Sequence, residues 1–170
     1  MTIIRTLLAA LATTLIAVPS YAASTCYTPE QIRAEQLLRL HSELMVITAM
    51  CKQGSAGENL AVAYGDFTKK NITVLHNAEQ TMIAYYKEKE KGDPQDKLDH
   101  LRTRLGNEYG QKAANQSAPA FCAAFRNEVL RFDTAAPLAI ETEVRRMTIS
   151  LPTYAPPCTA DKTVVAKKGN

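Results

Sequence analysis

Two groups of side chains in this 170-residue chain have types and spacing that could do chemistry. His76 and Glu79 stand three residues apart, so on a helix both would face one metal ion or pair with each other. His41 lies between Leu37 and Leu44, on or beside an apolar stripe, where an imidazole reads as a buried polar contact. With Met45, Met50 or Met82 it would form a soft copper set, although unbranched methionines at helical spacing otherwise read as core filler. A zinc or di-iron bundle needs more inward acids or histidines, above all a repeated Glu-x-x-His, and the chain has none. His41, His76 and Glu79 therefore stand as weak metal candidates, and no cofactor is assigned. His100, flanked by Asp99 and followed by Arg102, is expected to face solvent.

Other catalytic chemistry finds little to work with. Glu141 and Glu143 fall two apart and would point to different helix faces, which does not make an acid and base pair. Glycine-rich phosphate loops, a G-x-S-x-G elbow and an H-E-x-x-H helix are all missing from the sequence. The four cysteines, Cys26, Cys51, Cys122 and Cys158, contain no C-x-x-C, which removes the simplest thioredoxin-like, zinc-ribbon and haem-attachment readings. No catalytic residue is assigned.

The cysteines instead read as two disulfides, because the N-terminus looks like a secretory signal. Arg5 precedes an apolar run from Leu7 to Val18, and Pro19-Ser20-Tyr21-Ala22 supplies small residues at the positions a signal peptidase requires. About a dozen apolar residues rise only roughly 18 Å as a helix, short of a hydrocarbon core near 30 Å. Residues 1–22 are therefore expected to be a cleaved signal, leaving no transmembrane span and placing the protein in the periplasm or outside the cell. Asn71-Ile72-Thr73 and Asn115-Gln116-Ser117 fit the glycosylation pattern, which the bacterial look of the signal makes chance matches.

The elements that must position these residues are helices. Thr28-Pro29, Ser55 with Glu58, and Asp93-Pro94 are strong helix starts, with Ser117 and Thr134 weaker ones. Apolar residues recur at helical spacing: Leu37, Leu40, Leu44, Ile47 and Cys51; Leu60, Tyr64, Phe67, Val74, Ala78, Met82 and Tyr85; Leu98, Leu101, Leu105 and Tyr109. Phe121, Phe125, Val129 and Phe132 make a fourth stripe, and Leu138, Val144 and Met147 a shorter fifth. The fold class that follows is all-α, an up-and-down bundle of four to five helices at 29–52, 56–91, 94–113, 118–132 and 135–149, with the first ending at Gly54.

The second of these, about 36 residues and roughly 54 Å, is too long for the bundle. Either Gly65 or Asn71 kinks it, or it projects with the next helix as a hairpin tipped by the charged run Lys87 to Asp93. Helix 1 separates Cys26 from Cys51 by roughly 35 Å, which forbids a bond between them. In an up-and-down bundle Cys51 and Cys122 share one end, so the expected bridges are Cys51–Cys122 and Cys26–Cys158.

Residues 23–158 are thus read as one helical domain and 159–170 as a loose basic tail. The net charge of +3, with acids and bases interspersed, argues against a nucleic-acid partner. The leading functional expectation is non-catalytic interaction with another protein, as an inhibitor, immunity-type protector, adaptor or chaperone, so the reading leans away from an enzyme. The alternative is a bundle that holds a small ligand or metal between its helices, and the third is a hydrolase with a scattered site.

Overall fold

The computed structural model describes residues 25–51 and 55–158, with side chains described at 25–51 and 59–158. The expected signal (1–22), the expected tail (159–170), Gly54 and the side chains of the Ser55/Glu58 capping pair lie outside these. Among the described residues six helices follow one another: α1 (Pro29–Met50), α2 (Ser55–Lys70), α3 (Ile72–Lys89), α4 (Pro94–Ala114), α5 (Ala118–Asp133) and α6 (Pro137–Ser150). Among the described residues there is no strand, only a single parallel bridge between Tyr27 and Pro157.

Local chemistry explains the helix starts. Thr28 accepts from the Gln31 amide at 3.3 Å while Gln31 Oε1 accepts from the Thr28 amide at 2.8 Å, a reciprocal cap ahead of Pro29. Asp93 caps α4 through the Gln95 amide at 2.9 Å, and Ser117 caps α5 through the Ala120 amide. Thr134 does not start a helix. It closes α5, and α6 begins at Pro137, whose fixed φ suits the first turn.

The expected long second helix is two helices, which raises the count among the described residues to six. The break is at Asn71, whose side-chain amide donates to the Phe67 carbonyl at 2.8 Å, the same oxygen that accepts its backbone N–H at 3.1 Å. A side chain competing for a ladder acceptor bends a helix there, whereas Gly65 lies inside α2. The bend sends α2 onto α5 and α3 onto α1 and α4. It also shifts the buried phase, so Leu75 enters the core where Val74 was expected, and Val74 is exposed. The charged run at the end of α3 turns into α4 through Gly92 at φ 106°, a left-handed conformation that glycine adopts without Cβ strain. Tyr85 and Tyr86, just before that run, are buried rather than carried out on a projection.

All five other helices pack on α1. Leu37, Leu38, Leu40, Leu44 and Ile47 are nearly or fully buried, and so are the polar Glu35, Gln36 and Arg39 on the same helix. On α6 the packing face is Ile140, Val144 and Met147; Leu138, in the first turn, is 77% exposed instead of joining it. Two disulfides close the domain, Cys26–Cys158 and Cys51–Cys122.

The buried polar residues of α1 have a specific use: they hold the irregular segment after α6. Gln36 Nε2 donates to the Leu151 carbonyl at 3.2 Å, Arg39 to the Pro152 carbonyl at 3.1 Å, and the Glu35 carboxylate accepts the Tyr154 amide at 3.2 Å. Arg39 also bonds Glu35 at 3.0 Å, Gln36 at 3.0 Å, and Glu108 of α4, which in turn accepts the Tyr154 hydroxyl at 2.6 Å. The bridge continues the segment back to the N-terminus, with Tyr27 N–H on Pro156 O and Cys158 N–H on Tyr27 O, both at 2.8 Å. Burial pushes the Glu35 carboxyl up, against the opposing pull of the Tyr154 amide and Arg39.

Arg39→Met removes the positive partner of Glu35 and Glu108 and the donor to two carbonyls at once, leaving the buried Glu35 charge uncompensated, and is expected to destabilise the fold by about 3–5 kcal/mol. Urea denaturation measures it, and a loss below about 1 kcal/mol would reduce the pair to the worth of a surface contact.

Candidate binding recess

The structure separates the residues singled out for metal chemistry. His41 Nε2 lies 2.8 Å from the Tyr64 hydroxyl of α2, and the two rings stack with centroids 5.6 Å apart. Burial pushes the His41 imidazole down to about 4, and the positive charge of Arg102 acts in the same direction. His76 is exposed on α3. Glu79, one turn further, is paired with Arg102 of α4 at 3.2 Å rather than with His76. Met82 is fully buried, while Met45 and Met50 are exposed on α1. Among the described residues no three of His, Cys, Asp and Glu are grouped to hold a metal ion. His100 is exposed on α4.

The carboxylates of α6 are committed separately. Glu141 accepts from Arg33 of α1, which holds its carboxyl below the usual range. Glu143 is buried and bonded by Arg146 and Arg131.

A recess that sequence reasoning did not reach lies at the end of α1. Met50 and Cys51 form one wall, Leu60 of α2 another, and the face of α5 carrying Ala118, Pro119, Cys122, Ala123 and Arg126 the third. Those α5 positions follow helical spacing, so they share one side of the helix. Small side chains at 118 and 123 leave the space open, and Pro119 is accommodated because the first helical turn does not need its missing N–H. The Cys51–Cys122 disulfide, with Cα atoms 5.6 Å apart, fixes α1 against α5. The cavity measures about 440 Å³. Arg126 is exposed and makes no ion pair with any described residue.

Chemically the recess offers apolar walls and a cation, Arg126, that no described residue pairs with. Its cysteines are oxidised, so they supply no thiolate nucleophile. Apolar walls beside a cation suit an apolar group carrying a neighbouring negative charge. The only sequence signal for it was the run of small residues around Pro119 beside Cys122, which has meaning only once α1 and α2 are placed opposite.

The chain matches no protein-family model, and comparison with curated proteins and with solved structures also finds no match.

The state of His41 can be checked directly. A folded value lowered from 6.5 means that its contribution to stability is complete above pH 6.5 and is lost as the pH falls toward 4. An NMR titration is expected to keep the His41 ring neutral down to about pH 4. A midpoint near 6.5 would contradict its burial against Tyr64.

Proposed function

We propose that this chain is an exported, non-catalytic binding protein that engages another protein through the recess beside Cys51–Cys122. The observation that carries the reading is the recess itself, about 440 Å³ with largely apolar walls and Arg126 at hand. That volume falls within the roughly 300–1,000 Å³ of ordinary ligand pockets. The favoured occupant is an apolar side chain of the partner followed by an acidic residue or a terminal carboxylate, which would pair with the guanidinium. A periplasmic or extracellular setting accords with the two disulfides, which persist in oxidising compartments. No described helix is long and apolar enough to cross a membrane.

The same cavity also favours a second reading, in which it holds a small apolar acid. Native mass spectrometry of the protein from its own host separates the two, because a small ligand would appear as added mass.

Selection of displayed peptides on the disulfide-bonded protein tests the leading reading. Peptides with an apolar residue next to an acid are expected to enrich. Ala123→Trp, which fills the recess from an exposed position, is expected to abolish their binding, and Arg126→Glu to weaken it about tenfold or more. Enriched peptides indifferent to both changes would refute the assignment.

A further inference from the structure

A second cavity, about 340 Å³, lies where the end of α3 faces α4, well away in sequence from the Cys51–Cys122 staple. Its α4 wall carries Lys97, His100, Leu101 and Arg104, positions that share one helical face, with Thr103 beside them. Tyr86 and Glu90 form the α3 side. Three basic side chains and a hydroxyl therefore converge on one concave surface whose floor is the buried Leu101 and Tyr86.

The charges around it are not equally engaged. Lys97 is neutralised by Glu90 at 2.9 Å. Arg104 pairs with no carboxylate among the described residues; its guanidinium lies 3.5 Å above the ring of Tyr154. Tyr154 is itself held by Glu108 through its hydroxyl and by Glu35 through its amide. The stacked fork is oriented in advance by the ring, and its donors retain their capacity for an external acceptor. Orienting a guanidinium before binding reduces the entropy lost when it closes on an oxyanion.

We propose that this recess binds a tetrahedral oxyanion, a phosphate or sulfate group, with Arg104 as the bidentate donor and His100 and Thr103 completing the set. Glu90 competes with the anion for Lys97. Tyr154 acts as a positioning residue, so the clamp on the final segment and the anion site share one ring.

The disulfide-bonded protein is titrated with sodium phosphate and sodium sulfate, against sodium chloride at equal ionic strength, following the NMR signals of residues 97–104. Saturable binding of phosphate or sulfate beyond chloride is expected. Arg104→Gln is expected to weaken it about tenfold or more. Tyr154→Leu weakens it and Tyr154→Phe, which keeps the ring, does not. Glu90→Gln tightens it by releasing Lys97, an outcome that a purely structural role for these residues would not produce. Circular dichroism of Arg104→Gln, a change at an exposed position, verifies that the fold is intact. Glycerol 3-phosphate and vesicles of phosphatidic acid in phosphatidylcholine then separate the sources of the group. Saturation by the soluble ester assigns a free ligand, and Arg104-dependent binding confined to vesicles assigns a lipid headgroup. Responses equal to chloride, or binding indifferent to Arg104→Gln, overturn the proposal.

Discussion

The buried pairing of Arg39 with Glu35 is the interaction on which the rest of this structure depends. Both side chains belong to α1, four residues apart, and both are almost completely withdrawn from water. Ions in that position are costly unless every donor and acceptor finds a partner. Here the partners are Gln36, Glu108 and the backbone of 152 and 154, so the charges and the irregular segment satisfy each other. A stretch of chain without regular secondary structure can lie against a core helix only because side chains take over the work of a hydrogen-bond ladder.

That arrangement also explains why the central helix is not simply oily. α1 touches all five other helices, yet the side facing residues 151–154 must be polar. The Cys26–Cys158 bond then ties the ends of the domain together over a separation of 132 residues, beside the Tyr27–Pro157 bridge. In the chain-entropy view a closed loop of that length stabilises the fold by about 5 kcal/mol, a figure that depends on the model. The second staple closes 71 residues and joins α1 to α5 at the opposite end of α1, where the apolar recess opens. The two bonds thus fix opposite ends of the same helix.

Asn71 divides the labour between the two halves of what periodicity presents as one helix. Before it, α2 packs on α5 and α1, with Phe67 against Phe132 at 6.1 Å between centroids. After it, α3 packs on α1 and α4, and Tyr85 meets Tyr27 edge-on at 4.7 Å. One buried amide that takes a second share of a carbonyl therefore decides which helices become neighbours, and with them where Glu79 meets Arg102 and where His41 meets Tyr64.

The sequence by itself determined the helical character of the chain, the capped starts of α1, α4 and α5, and most of the core. Those features are local: a cap acts over three residues and an apolar stripe repeats every turn, so each is written where it acts. The length of α1 also kept Cys26 and Cys51 apart before any packing was known. Only the tertiary structure decided between a kink and a long projecting helix, because periodicity continues through Asn71 almost unchanged while its side chain competes for Phe67 O. Only the tertiary structure assigned Glu35, Gln36 and Arg39 to residues 151–154, contacts that span more than 110 positions. The two recesses likewise arise from helices far apart in the chain, and an empty space between elements leaves no mark on the residues of either one alone.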